Sequence, residues 1–119
     1  DYPELAAAGG WSTAENLARF VVEIQNALRG ASAIGLSRES ANELMTPIAY
    51  QYALGFDIEK HGKHAYFTNG GANHGFQTLI KGHMSAGMGV AIMTNSDNGF
   101  HVITQLAQFI AEEEAWPGY

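Results

Sequence analysis

The chain predicts an α+β fold, with about four antiparallel strands gathered in one stretch and helices packed on the sheet they form. Two periodicities carry that prediction. Apolar residues fall at helical spacing at Leu17, Phe20, Val21, Ile24 and Leu28, and again at Phe100, Ile103, Leu106, Phe109 and Ile110. Between them the pattern shifts to period two, the repeat of a strand with one buried face. Strands segregated from helices, not alternating with them, give α+β. At 119 residues the chain spans a single domain or part of one.

The elements follow in order. Ser12-Thr13-Ala14-Glu15 fits a capping box, in which Ser12 serves as the helix cap, and Gly30 ends the first helix. Ser37 caps a short second helix with Leu44 and Met45 inward, stopped by Pro47. Tyr52, Leu54, Phe56 and Ile58 alternate as a half-buried strand, His61-Gly62-Lys63 turns the chain, and His64 to Thr68 returns. Phe76 to Lys81 and Met88 to Thr94 form a second hairpin around residues 83–87. Ser96-Asp97-Asn98-Gly99 turns into the last helix, which ends at Glu112-Glu113-Glu114 as a solvated terminus.

Composition excludes several classes. With 46% hydrophobic and 15% charged residues the chain is not of disordered type. Six Lys and Arg against twelve Asp and Glu leave a net charge of −6, which argues against a nucleic-acid partner. No apolar run reaches membrane-span length, and no signal peptide or lipidation motif is visible. The absence of cysteine removes disulfides and thiolate chemistry. Beginning Asp1-Tyr2-Pro3 without Met, the sequence is expected to be a processed chain, a designed chain or a fragment.

The segment from Phe67 to Phe76 is the most informative. It holds Gly70, Gly71 and Gly75 within six residues, flanked by strand-like runs. Glycine in a strand pattern marks close approach to the backbone, or a corner where glycines supply positive φ. Both readings are open from these residues alone. A phosphate cradle fits poorly, since Gly70-Gly71-Ala72-Asn73-His74-Gly75 lacks the Lys-Ser/Thr of a P-loop and opens no helix. Gly10-Trp11-Ser12-Thr13-Ala14 lacks the second glycine of a nucleophile elbow, and no strand precedes it. His61, His64, His74, His83 and His101 show no metal-ligand spacing and most read as exposed turn residues, although His74 beside the glycines could face a substrate. Phe100, Phe109 and Trp116 read as core or helix docking.

Four stretches together resemble the C-terminal portion of the serine β-lactamase and penicillin-binding-protein family, in its class C and esterase-like branch. They are Ala8-Gly9-Gly10-Trp11-Ser12-Thr13-Ala14-Glu15-Asn16-Leu17-Ala18-Arg19-Phe20, Tyr52-Ala53-Leu54-Gly55-Phe56, the glycine segment, and Val90-Ala91-Ile92-Met93-Thr94-Asn95. Their order matches across nearly the whole chain. The resemblance implies that Asn69, Gly70 and Gly71 form the family's third motif, which lines one wall of the active site, with His74 beside it. It further implies that the backbone N–H of Ala72 is an oxyanion-hole donor, the kind of preorganised dipole that lowers an acyl-transfer barrier.

Two departures limit what can be carried over. Asn69 stands where the family has a cation or imidazole. No serine here is followed three places on by Lys, and no Tyr-x-Asn or Tyr-x-Ser occurs, so the activated nucleophile is missing. The chain is therefore expected to be about the last third of a complete member, one single partial domain over residues 1–119 and inert alone.

The complete protein would hydrolyse a small-molecule ester, amide or β-lactam through an acyl-enzyme, without metal or cofactor. Family members are often periplasmic or secreted, though nothing in these residues fixes a compartment. The alternative is a non-catalytic binding or assembly module. In the family's sheet, the strand matching Met88–Thr94 pairs with a strand from further upstream, so an oligomer or a missing N-terminal portion is expected at that edge.

Overall fold

The structure is a computed structural model, described here over residues 8–119. Its elements are helix α1 (Ala14–Arg29), helix α2 (Arg38–Leu44), strands β1 (Asp57–His61), β2 (His64–Asn73), β3 (Phe76–His83) and β4 (Gly89–Thr94), and helix α3 (Gly99–Glu113). The strands form one antiparallel sheet in the order β1-β2-β3-β4, with helices packed on it, as expected for an α+β chain.

Helix α1 is capped by Thr13, not Ser12, because the Thr13 hydroxyl accepts from the Asn16 N–H at 3.2 Å. It ends at Gly30, whose φ of 79° lets the Gly30 and Ala31 amides reach back to Ala27 and Asn26 carbonyls. Ser37 caps α2 through the Ser40 amide at 3.1 Å. The turn between the two helices is gathered by Glu23, whose carboxylate accepts from Ser32 Oγ at 2.6 Å and from the Ala33 and Ile34 amides at 2.7 and 3.2 Å. The Ser32 bond, with those amides, holds the Glu23 carboxyl below the usual glutamate range. A lowered folded-state value gives stability above the ordinary glutamate pKa that is lost as pH falls through the folded one. Glu23→Gln is therefore expected to melt below the parent at pH 6 and level with it at pH 3, as followed by circular dichroism.

The sheet buries both faces. Phe67, Ile80 and Ile58 pack under Val21, Ile24, Ala27 and Leu28 of α1, with Ala41 and Met45 completing that layer. On the opposite face Ile103 and Ala107 of α3 sit on Ile92, flanked by Leu79 and Val90. Beside them Tyr66 stacks on Trp116, with ring centroids 5.7 Å apart, and donates its hydroxyl to the Pro117 carbonyl at 2.8 Å. Lys81, largely buried on this face, bonds the Glu59 carboxylate at 2.7 Å and the Tyr119 hydroxyl at 2.8 Å. Burial pulls the Lys81 pKa down, but these two partners more than offset it and leave it raised.

Three further expectations are corrected. The strand placed over Tyr52 to Ile58 begins only at Asp57. Gly55 adopts φ 84°, which breaks the extended run and leaves Tyr52 in isolated bridges to Ala49 and Asp57. The return strand does not stop at Thr68 but continues through both glycines to Asn73. The inward face of α3 is Ile103, Ala107 and Ala111, while Phe100, Leu106 and Phe109 are 40%, 39% and 58% exposed. Small alanines let the helix lie close on the strands, and that close seat turns the bulkier stripe outward. The lead residues 1–7 lie outside the described part.

Candidate functional site: an open strand margin at Gly70–Ala72

Hydrogen-bond parity along β2 determines where its backbone points. The Met84 amide donates to the Ala65 carbonyl at 2.9 Å, so odd-numbered residues of β2 face β3. Through the register, Phe67, Asn69, Gly71 and Asn73 bond across to Gly82, Ile80, Thr78 and Phe76. Even-numbered residues face β1, where His61 pairs with His64, Glu59 with Tyr66 and Asp57 with Thr68. The Ile58 amide, bonded to the Gln51 carbonyl at 2.8 Å, confirms that even positions of β1 face away from β2.

β1 stops at Asp57, opposite Thr68, while β2 runs on for five more residues to Asn73. The main-chain N–H and C=O of Gly70 and Ala72 therefore point to the side β1 has vacated. Among the described residues no strand pairs with them there. The result is a half-strand edge with donor and acceptor groups at alternate residues, the arrangement that accepts an extended ligand.

The glycines of this segment serve different ends. Gly75, at φ 79°, makes the tight turn between β2 and β3 and needs the left-handed region. Gly70 and Gly71 are extended, so positive φ does not explain them. A Cβ on Gly71 would come within 2.7 Å of Thr78 Oγ1, and packing accounts for its bareness. A Cβ on Gly70 would meet only ordinary contacts, 3.7 Å from Phe100 Cε1. Neither backbone nor packing demands glycine at position 70.

The remaining predicted residues lie around this margin in different ways. Asn69 is exposed and its amide donates to the Gly55 carbonyl, tying β2 to the loop before β1. Asn73 donates likewise to Ala8 at 2.9 Å. His74 lies on the turn with a 99% exposed side chain, its Nδ1 3.5 Å from Asp97 Oδ1, and is not brought onto the margin. Asp97 also accepts from the Gly75 amide at 2.6 Å, and Gln77 bonds the Asp97 carbonyl and the Phe100 amide, which fixes the turn against the start of α3.

Asp57 closes the inner end of the margin. Its Oδ1 is buried without a hydrogen-bond partner among the described residues. That orphan was not foreseen from sequence, where Asp57 is one of many acidic residues. Two shallow hollows of about 400 and 440 Å³ are lined by Phe100, His101, Thr104 and Gln105 and by Pro47, Tyr50, Gln51, Ile58 and Lys60, and neither is lined by Gly70, Gly71 or Ala72. No cluster of three or more His, Asp or Glu at metal-binding distance occurs among the described residues. No helix is long and apolar enough to cross a membrane.

The parity makes a sharp prediction. Proline removes an N–H, which a strand tolerates where that N–H faces outward but not where it enters the ladder. Ala72→Pro should cost about 1 kcal/mol or less, while Gly71→Pro leaves the Thr78 carbonyl unpaired and adds a side chain against Thr78, for about 3 kcal/mol. Urea denaturation of the two variants checks the order. A scan against protein-family models, curated proteins and solved structures finds no match to this chain.

Proposed function

We propose that this chain is the C-terminal part of a serine β-lactamase-like hydrolase and that Asn69 to Ala72 form one wall of its acyl-transfer cleft. The supporting observation is the outward-facing main chain of Gly70 and Ala72 beside a glycine that neither packing nor φ requires. A small ester, amide or β-lactam would lie along this edge, and the Ala72 N–H would donate to the oxyanion that develops on its carbonyl. Such a donor contributes about 10²–10³ in kcat when removed. The nucleophilic serine, its lysine and the opposite wall are not among these residues, so the 119-residue chain alone is inert.

The test has two arms. Titrating the isolated chain with a short N-acetylated extended peptide should move the Gly70 and Ala72 amide resonances while leaving Gly71 in place. Expressed together with the coding sequence upstream of Asp1, the protein should show burst hydrolysis of a chromogenic ester or β-lactam, and Ala72→Pro should lower kcat by about 10²–10³. A burst from the isolated chain, abolished by mutating one of its own serines, would refute the proposal.

A second reading, a non-catalytic binding or assembly module, draws support from the other edge of the sheet. Register through β3 turns the backbone of Gly89, Ala91 and Met93 outward, and no strand covers them among the described residues. β4 carries no charge or proline to blunt that edge, and Val102, Leu106 and Phe109 lie exposed on the neighbouring helix α3. A second copy or an upstream segment would pair there. Light scattering at high concentration decides, and a monodisperse monomer would count against this reading.

A further inference from the structure

His83 ends β3 and is 3% exposed, although its sequence position suggests a surface turn. Its Nδ1 accepts from two main-chain donors of the following loop, the Ser85 amide at 3.0 Å and the Ala86 amide at 2.8 Å. An imidazole nitrogen that receives two N–H groups carries no proton of its own, which places the His83 ring proton on Nε2. That Nε2 lies 3.3 Å from His64 Nδ1, across the β2–β3 pair. His64 Nδ1 must then be the acceptor, and its own proton sits on Nε2. Two neutral rings, each in one tautomer, satisfy every contact.

The same loop is held from the opposite side by α1. Gln25, also 3% exposed, directs its amide at the carbonyls of His83, Ala86 and Met88, at 3.1, 3.2 and 2.7 Å. The groups facing His83 are therefore His64 and Tyr66 from β2, neutral Gln25 from α1, and Ser85 of its own loop. Beyond Tyr66 lie His61, Tyr119 and Lys81, the last engaged by Glu59. Among these no carboxylate reaches His83 to stabilise a charged ring.

We propose that His83, oriented by its contact with His64, is an acid-sensitive latch that holds the 84–88 loop on α1 only while the His83 ring is neutral. A proton added to His83 Nδ1 would face the Ser85 and Ala86 N–H groups, donor against donor. A shift of the His83 proton from Nε2 to Nδ1 would displace the same two amides. Either route opens the loop, frees the carbonyls that Gln25 gathers and loosens the Met88 end of β4.

The direction in pH follows from burial. Desolvation, together with the nearby His64, pushes the His83 pKa below its ordinary value. The open loop therefore binds a proton more readily than the closed one. The latch is complete above about pH 6.5 and weakens as pH falls from there toward the folded-state value.

Two measurements on the 119-residue chain test the latch. Long-range ¹⁵N spectra of the ring nitrogens at pH 7.5 should show His83 with an unprotonated Nδ1 and a protonated Nε2. Amide exchange, corrected for its intrinsic pH dependence, should show the opening constant of Ser85 and Ala86 rising toward tenfold per pH unit below about pH 6.5. His83→Asn places an oxygen near the former Nδ1 and cannot titrate, so its loop amides should stay protected and their pH dependence should flatten. A protonated Nδ1 on His83 in the parent, or loop opening unchanged between pH 7.5 and 5, would overturn the proposal even if the variant fails to fold.

Discussion

Phe67→Ala is expected to destabilise the fold by about 3–5 kcal/mol, a large share of the ~5–15 kcal/mol that a domain possesses. Phe67 is wholly buried in the centre of β2, meets Phe56 edge-on at a centroid distance of 5.6 Å, and underlies Val21 and Ile24 of α1. Truncation removes the ring's burial and leaves a space that the paired strands on either side cannot collapse to fill. Urea or thermal denaturation should show a chain that is unfolded or nearly so at 37 °C. A loss below about 1 kcal/mol would mean that the α1 face of the sheet is not packed as described.

Gly82→Ala should also destabilise the fold, from the opposite cause. A Cβ at position 82 would drive into the Phe67 ring and stand 2.8 Å from Val21 Cγ1. Both neighbours are buried at 1% exposure or less, so neither can swing away. Overpacking of this kind costs about 1–3 kcal/mol, occasionally more. The two effects must couple: in a Phe67→Leu background part of the space is vacated, and the added methyl should cost at least about 1 kcal/mol less than it does alone. Strict additivity would show that Gly82 is required for another reason.

Much of this architecture is legible in the chain before any coordinates. The buried Val21, Ile24 and Leu28 of α1, its glycine stop at Gly30 and the Ser37 cap follow from periodicity and from the unpaired groups at helix ends, whereas Phe20 of the same stripe is 42% exposed. The Tyr52 to Ile58 stretch misleads because alternation alone cannot tell that Gly55 takes positive φ. On α3, Phe100, Leu106 and Phe109 outweigh Ala107 and Ala111 in hydrophobicity, but close seating on β3 and β4 selects the small residues. The site divides in the same way. The glycine segment announces itself in sequence, whereas the outward turn of Gly70 and Ala72 depends on β1 ending opposite Thr68. His83 was hidden because its partners, Gln25 and His64, are 58 and 19 residues away.

Residue-resolved amide exchange along β2 reaches the central point most directly. Asn69 and Gly71 donate into the ladder with β3 and should exchange slowly. Gly70 and Ala72, facing the stretch that β1 leaves bare, should exchange at least about 100-fold faster under the same conditions. Equal protection at all four amides would mean that the margin is covered, leaving no edge along which a substrate could lie.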